Sequence, residues 1–330
     1  MTHPDRVDPD DVRIFSGSSN PALAAAIAGY LKAPLDPVRV RRFGNDNLYV
    51  QLGASVRSRA VFIVQSFSPP VNDHVVELLM MLDIAKSGGA REVHAVIPYY
   101  SFARSDKKDA PRISITAKLM AKLIETAGAT HIITMTLHSP QVQGFFDVPT
   151  DSLTARPVFI EHFKKQDLSQ TIVVSPDDGH AYAVMRFAEQ FGLPAAVGNK
   201  VRLSDNEVQI ANVIGEVSGY RQAIIYDDEI ASGASTVTMA KLLLDRGIEE
   251  ITAVCTHGVL VGNAIQRLTA LPQLKHIVTT DTVPISEDKY VPPLQVLSVA
   301  ALLGEAIKRN YLRESIGDLF SFWKDFQAEE

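Results

Sequence analysis

The stretch IIYDDEIASGAST, residues 224–236, joins an apolar run to two adjacent acids and a loop of small residues. The run predicts a buried strand that brings Asp227 and Asp228 to the edge of a sheet. Carboxylates placed there can accept hydrogen bonds from sugar hydroxyls or hold hydrated Mg²⁺. The small residues 231–235 lead into a predicted helix, and their backbone N–H groups suit a phosphate. The stretch therefore indicates a sugar-phosphate-binding loop; the alternative is a capped helix start after two solvated acids.

The same strand-then-helix rhythm runs through most of the chain. Short apolar runs predict strands over 60–65, 92–97, 131–135, 170–175, 222–226, 250–255 and 276–280. Amphipathic stretches predict helices over 73–86, 113–127, 181–191 and 235–246. Alternating strands and helices with short connections predict parallel sheets covered on both faces. The sequence thus predicts an α/β protein of two similar domains, 12–153 and 154–310.

Composition narrows the functional class. The 330 residues are 46% hydrophobic and carry a net charge of −6, and no basic block suggests a nucleic-acid partner. No apolar run approaches the ~18 residues of a membrane span. The polar start is neither a signal nor a transit peptide, so residues 1–11 are predicted to be a disordered lead-in and the aromatic segment 311–330 to be docked. The single cysteine, Cys255, favours plain core and a reducing, cytoplasmic setting.

Polar residues follow several other predicted strands, where ligands bind in parallel sheets. Asp177 follows the strand ending at residue 175, and His138 follows the strand ending at residue 135. Asp177 repeats the pattern of paired acids before a helix, which indicates a shared polar pocket. For His138, metal binding or phosphate contact competes with an ordinary structural role.

Basic residues form two further candidates. Arg104 opens a basic loop, residues 104–112, that suits a polyphosphate, since guanidinium pairs bidentately with phosphate oxygens. Lys200 and Arg202 lie two residues apart, hence on one face if extended. The alternatives are a solvated surface loop and an exposed hairpin with ordinary charges. The sequence contains no P-loop, no metal-type Cys/His cluster and no Gly-x-Ser-x-Gly elbow.

Taken together, these blocks resemble the ribose-phosphate diphosphokinases, also called phosphoribosyl pyrophosphate synthetases. The resemblance extends from about residue 13 to 315. It rests on ordered blocks at 42–43, 65–66, 72–73, 97–99, 103–104, 115–118, 137–138, 174–177 and 227–228, and on the run QGFFDVP at 143–149. It implies two type I phosphoribosyltransferase-like domains and a homo-oligomer, typically a hexamer built from dimers. It also implies transfer of the diphosphate of MgATP to the C1 hydroxyl of ribose 5-phosphate, leaving AMP.

The resemblance assigns roles to matching residues. Lys200 and Arg202 would be the mobile catalytic pair that neutralises charge on the transferred group. His138 and Asp177 would contact Mg²⁺. The ATP side would comprise Phe43, Asn45, Asn47, Arg104, Ser105 and His138, with the segment around Phe43 reaching the adenine of a neighbouring subunit. The ribose 5-phosphate side would comprise Asp227, Asp228, Ala231, Ser232, Gly233, Ala234 and Ser235.

Several positions depart from the family pattern. Thr136 stands for an aspartate, Ser105 for a glutamine, Asn47 for a glutamate and His180 for a glycine. Ala231 and Ala234 replace an aspartate and a glycine in the phosphate loop. Ala234 would crowd the phosphate or require a slightly different backbone, because alanine tolerates a positive φ poorly. Two alternatives follow: the same chemistry on a modified, ADP-ribose-like ribose 5-phosphate, or a non-catalytic regulatory paralogue. A plain phosphoribosyltransferase lacks the ATP-side segments.

Overall fold

A computed structural model describes residues 6–204 and 207–320, and within residues 200–211 it describes the backbone alone. The described chain forms two compact units. The N-terminal unit contains the described residues up to Thr154, together with 282–284 and 298–320. The C-terminal unit contains residues 155–281 and 285–297. Each is an α/β unit built on a mainly parallel sheet, as the sequence predicts.

The N-terminal unit has a six-stranded sheet in the order β2-β1-β5-β6-β7-β8, parallel throughout, and a separate antiparallel hairpin, β3-β4. The central strand β5 is buried at every residue, because helices cover both of its faces. Its elements up to residue 153 are β1 (Val12–Ser16), α1 (Pro21–Leu31), β2 (Leu35–Asp36), β3 (Val38–Arg42), β4 (Leu48–Leu52), β5 (Ala60–Val64), α2 (Val71–Ser87), β6 (Glu92–Ile97), α3 (Thr116–Ala127), β7 (His131–Met135) and β8 (Thr150–Leu153).

The C-terminal unit has a seven-stranded sheet in the order β11-β10-β9-β12-β13-β14-β15, in which only the β10–β11 pair is antiparallel. Its core includes Cys255, which is fully buried as predicted. Its elements are α4 (Arg156–Phe163), β9 (Thr171–Ser175), α5 (Ala181–Glu189), β10 (Ala195–Ser204), β11 (Glu207–Ile214), β12 (Gln222–Ile230), α6 (Ala234–Leu244), β13 (Glu250–Gly258), α7 (Ala264–Thr269), β14 (Leu274–Thr280) and β15 (Leu294–Leu297).

The last helix, α8 (Ala300–Leu312), belongs to the N-terminal unit although it follows β15 in the chain. It packs so closely against α1 that a Cβ on Gly304 would lie 2.5 Å from Cδ1 of Tyr30. The Tyr30 hydroxyl donates to Glu305 Oε2 at 2.7 Å, and Asn310 Nδ2 donates to Asp151 Oδ2 at 3.0 Å. The boundary of the C-terminal unit therefore differs from that of the predicted domain 154–310, because residues 298–310 belong to the N-terminal unit.

Both ends of the described chain join the N-terminal unit. Val7 is buried, and the Asp11 carboxylate accepts hydrogen bonds from Arg91 and Tyr311, so residues 6–11 are ordered where a lead-in was expected. Residues 1–5 and 321–330, which include the rest of the predicted lead-in and docked segment, lie outside the described residues. Within the described chain, no helix combines the length and apolarity that crossing a membrane requires.

Candidate active site

Asp227 and Asp228 lie on the part of β12 that pairs with β13 but no longer with β9. Pairing with β9 ends at Ile225↔Val174, whereas pairing with β13 continues to Ile230↔Gly258. The strand therefore runs four residues beyond the predicted end at Tyr226. Asp227 and Asp228 lie on this one-sided extension, so they border a gap at the carboxyl edge of the sheet.

Asp227 and Asp228 are both buried, with relative exposures of 9% and 4%. Burial raises the pKa of Asp227 well above its usual range, and the like charges of Asp228 and Asp177 raise it further. The Asp228 amide donates to Asp227 Oδ1 at 2.9 Å. The structure thus brings Asp177, predicted from a different loop, into the electrostatic neighbourhood of the Asp pair. Like charges that raise one another's pKa make a bound cation or hydroxyl donor favourable at this edge of the sheet.

The loop that follows, residues 231–235, keeps its backbone donors open. Gly233 has φ 72°, caps α6 and leaves the helix without a side-chain cap. Within the described chain, the N–H groups of Ser232, Gly233 and Ser235 have no protein acceptor, and the Ala234 N–H reaches only Ser232 Oγ at 3.4 Å. Unsatisfied N–H groups at a helix start attract anions, and the helix dipole adds to this. The predicted phosphate loop therefore has the donors that it needs.

Two departures from the family pattern fit this backbone without strain. Ala234 is the first residue of α6 and is not among the residues with positive φ, because Gly233 adopts the left-handed conformation. Ala234 therefore does not adopt the positive φ that alanine tolerates poorly. His180 has φ −108°, a conformation that needs no glycine.

One residue that touches this loop escaped the sequence analysis. Arg267 of α7 donates from Nη1 to the Ser232 carbonyl at 2.7 Å. It lies far along the chain in a short helix, and no motif marks it. A cavity of about 190 Å³ also lies in this unit, but at the opposite, amino-terminal edge of the sheet. None of the predicted site residues lines that cavity, and its mixed lining includes Thr171, Gln222 and Lys275.

The N-terminal unit has a similar loop, residues 17–20, between β1 and α1. In this segment, side chains of the protein itself accept hydrogen bonds from backbone N–H groups. The Ser18 N–H donates to Glu77 Oε1 at 2.8 Å, the Ser19 N–H to Gln65 Oε1 at 3.0 Å, and the Leu23 N–H to Asn20 Oδ1 at 3.2 Å. Glu77 is buried and also accepts from the Ser18 hydroxyl. This loop is closed by the protein itself.

The predicted adenine segment forms the tip of the β3–β4 hairpin. Phe43, Asn45 and Asn47 are all exposed, Phe43 by 54%. Backbone bonds from Phe43 N to Asn47 O and from Asp46 N to Phe43 O close the tip. Arg42 holds the hairpin through ion pairs with Asp46 and Asp73 at 2.8 and 2.7 Å. The hairpin therefore presents an aromatic ring and two amides to solvent.

Two loops of the ATP side meet beyond the ends of β6 and β7. Arg104 ends a 3₁₀ turn over Ser101–Arg104, and Ser105 follows it. The Ser139 hydroxyl donates to Asp106 Oδ2 at 2.5 Å, which joins the basic loop to the His138 loop. His138 is exposed at this edge. Thr136 has φ 43°, a conformation strained for a β-branched residue but better tolerated by aspartate.

The predicted catalytic pair lies in the antiparallel part of the second sheet. The backbones of Lys200 and Arg202 belong to β10 and pair with Ile210 and Val208 of β11. The backbone at both residues is thus extended and part of a hairpin, which the sequence analysis gave as the alternative to a functional role. The side chains of Lys200 and Arg202 lie outside the described residues, so their roles stay a prediction.

Comparisons with known proteins agree with this architecture. Residues 12–128 match the family model of the N-terminal domain of ribose phosphate pyrophosphokinase, and residues 202–321 match that of the phosphoribosyl synthetase-associated domain. The chain is 43% identical to a ribose-phosphate pyrophosphokinase of Caldanaerobacter subterraneus, over 94% of this chain and 98% of that protein. It is also 43% identical to that of Rhizobium meliloti, over 94% of this chain and 100% of that protein.

A solved structure is similar over almost its whole length. The phosphoribosylpyrophosphate synthetase of Mycobacterium smegmatis shares 34% identity and superposes with a TM-score of 0.86, covering 92% of this chain and 99% of that one. Coverage of this extent includes most of both units.

Proposed function

The chain belongs to the ribose-phosphate pyrophosphokinase family, and on that premise we propose that it transfers the diphosphate of MgATP to the C1 hydroxyl of ribose 5-phosphate. The products are 5-phosphoribosyl 1-diphosphate and AMP. The observation that carries the proposal is the open loop 231–235 directly after the buried Asp227 and Asp228. The loop offers an anion site for the phosphate of a ribose phosphate, and the two carboxylates can accept hydrogen bonds from its ribose hydroxyls.

In this proposal the 5-phosphate accepts from the open N–H groups of Ser232, Gly233 and Ser235, and from the Ser232 and Ser235 hydroxyls. Asp227 and Asp228 accept from the ribose hydroxyls. Because these carboxylates are buried before substrate arrives, they need little reorganisation, which is the condition for strong polar recognition.

Mg²⁺ fits the donor set that we assign to it. Among residues 6–204 and 207–320, no group of three or more acidic, His or Cys side chains forms a ready-made metal cage. Mg²⁺ does not require one, because it keeps several waters and binds through one or two carboxylates and substrate phosphates. Asp177 and His138 are its proposed contacts, as the resemblance implies. When bound, Mg²⁺ neutralises charge on the phosphates of ATP.

The ATP side of the proposal lies in the N-terminal unit. Phe43 would stack on adenine and Asn45 and Asn47 would bond its edge, supported by their exposure at the hairpin tip. Arg104, with Ser105 and His138, would hold the phosphates of ATP. Because the resemblance places the adenine segment in a neighbouring subunit's site, we propose a homo-oligomer. A reducing, cytoplasmic setting accords with the single buried cysteine.

Lys200 and Arg202 are the proposed catalytic pair. Little covalent chemistry falls to the protein in such transfers, so cations that stabilise the transferred group supply most of the rate. The test is an assay with ATP, Mg²⁺ and ribose 5-phosphate that follows 5-phosphoribosyl 1-diphosphate and AMP together. We expect the two products in equal amounts, and a loss of roughly 10²–10³ in kcat for Lys200→Ala.

Lys241→Ala, on the exposed face of α6, is the matched control and should keep full activity. Unchanged turnover in Lys200→Ala would refute the catalytic assignment. ADP-ribose-like analogues belong in the same assay, because Ala231 removes a carboxylate from the ribose end of the loop. If the protein turned over an analogue but not ribose 5-phosphate, the analogue would be the substrate instead.

A further inference from the structure

The backbone of the phosphate loop is fastened from outside by the segment that follows β13. The carbonyls of Ile230, Ala231 and Ser232 accept in turn from Leu260 N at 3.0 Å, Val261 N at 2.9 Å and Arg267 Nη1 at 2.7 Å. Three consecutive carbonyls are thus held toward residues 260–267. The first two bonds come from backbone and the third from a side chain.

Holding these carbonyls also fixes where the N–H groups point. In a planar trans peptide the C=O and the N–H of the next residue point in opposite directions. Fixing the Ser232 carbonyl toward Arg267 therefore turns the Gly233 N–H away from the Arg267 guanidinium. Fixing the Ala231 carbonyl toward Val261 likewise turns the Ser232 N–H away from Val261. These are two of the N–H groups that the described structure leaves without an acceptor.

The contact between α7 and the loop is tight as well as polar. A Cβ on Gly233 would lie 3.2 Å from Leu268 Cγ, so the left-handed residue sits directly against the helix. Arg267 is exposed and, in the part of the chain that the structure describes, forms an ion pair with no carboxylate. A bond from a cation to a carbonyl is stronger than a neutral one.

We propose that Arg267 is a positioning residue of the 5-phosphate site, which keeps the Ser232 carbonyl away from the phosphate and the N–H groups of residues 232–233 directed at it. This inference rests on the proposed function for the identity of the ligand. It adds a residue that acts through the backbone and touches neither of the reacting groups.

The test compares Arg267→Met, Arg267→Lys and the control Arg221→Met by steady-state kinetics and by calorimetric titration with ribose 5-phosphate. Met keeps the apolar stem but removes the charge and the donor, and Arg221 is an exposed arginine paired with Glu249. For Arg267→Met we expect KM and Kd for ribose 5-phosphate to rise about tenfold, equivalent to ~1.4 kcal/mol. We expect kcat and KM for ATP to stay within about twofold, and Arg267→Lys to recover part of the loss.

Unchanged Kd in Arg267→Met, or equal losses in kcat and in KM for ATP, would overturn the inference. Turnover by the unsubstituted protein decides the proposed function separately. If that protein lacked turnover but bound ribose 5-phosphate, the titration would still decide the role of Arg267. If the protein bound no ribose 5-phosphate at all, the proposed role of Arg267 would be refuted together with the proposed ligand.

Discussion

The loops 17–20 and 231–235 have similar local structure but differ in whether protein groups accept from their backbone N–H groups. Both follow a strand of a mainly parallel sheet, both consist mostly of small residues, and both lead into a helix. In the first, Glu77 and Gln65 accept from the N–H groups of Ser18 and Ser19, and Asn20 caps the helix that follows. In the second, the corresponding donors of the described chain are open. A loop of small residues is therefore a ligand site only where the surrounding side chains leave it unfilled.

The largest effect should come from the carboxylate that borders the open loop. For Asp227→Asn we expect kcat/KM for ribose 5-phosphate to fall about ten- to a hundredfold, because a hydrogen bond to a charged acceptor contributes roughly 1.5–3 kcal/mol. The same change should raise the melting temperature of the ligand-free protein at neutral pH. Burial and like charges disfavour the ionised Asp227, and asparagine carries no charge.

The pH dependence gives this prediction its sign. Since the pKa of Asp227 is raised in the folded state, its stabilising contribution is present below the unfolded pKa and is lost as pH rises through the folded pKa. The stability advantage of Asp227→Asn should accordingly shrink as the pH is lowered and vanish below about 3.9. Thermal melts of both proteins across pH measure this. An advantage that grows on acidification would contradict it.

The backbone of the open loop offers the next effect. In Gly233→Ala the left-handed φ of 72° costs about 1–2 kcal/mol, and the new Cβ meets Leu268. We expect KM for ribose 5-phosphate to rise roughly five- to thirtyfold. Gly192→Ala is the matched control, since Gly192 has φ 65° with nothing within 4 Å. It should lose similar stability and keep its KM.

The closed loop should respond in stability alone. Glu77→Gln replaces one acceptor oxygen by a donor, which faces the Ser18 N–H or hydroxyl, so we expect a loss of about 1–3 kcal/mol in the free energy of unfolding. KM for both substrates should not change. Chemical denaturation and kinetics measure the two quantities, with the exposed Glu314→Gln as reference. A rise in KM for ribose 5-phosphate would make the two loops functionally alike.

The smallest effect is expected beside His138. Thr136 adopts φ 43°, which asparagine or aspartate tolerates better than a β-branched residue. Thr136→Asn should therefore raise the free energy of unfolding by roughly 0.5–1 kcal/mol, in line with relief of local strain. Denaturation midpoints compared with those of Thr126→Asn, in the exposed last turn of α3, isolate the backbone effect. A destabilised variant would show that the threonine side chain makes a compensating contact.

The sequence predicted the elements whose signals are local. Strands β6 and β7 occur at the predicted residues, Glu92–Ile97 and His131–Met135. The end of β12 was predicted too early because two acids resemble a strand end, whereas the neighbouring β13 keeps the strand paired to Ile230. The burial of Asp227 and Asp228 depends on that same neighbour. The pattern of one segment cannot contain this information.

Long-range contacts were the other gap. The membership of α8 in the N-terminal unit depends on α1, which lies more than two hundred residues earlier in the chain. The N–H groups of loop 17–20 likewise depend on Gln65 and Glu77 for their acceptors. The Ser232 carbonyl depends on Arg267 for its donor. Each is a side chain whose partner is set by topology. The resemblance to a family located the loops but could not distinguish which residues fasten them.

The position of α8 also bears on the order in which the protein is made. The helix that covers α1 and bonds Asp151 follows all the strands of the C-terminal unit in the chain. During synthesis from the N-terminus, the first sheet emerges long before its last helix and exposes the surface of α1 meanwhile. The unit that leaves the ribosome first is therefore completed last. Pulse-labelled protease protection of nascent chains should rise for the N-terminal unit only once residue 312 has emerged, after the last strand of the C-terminal unit.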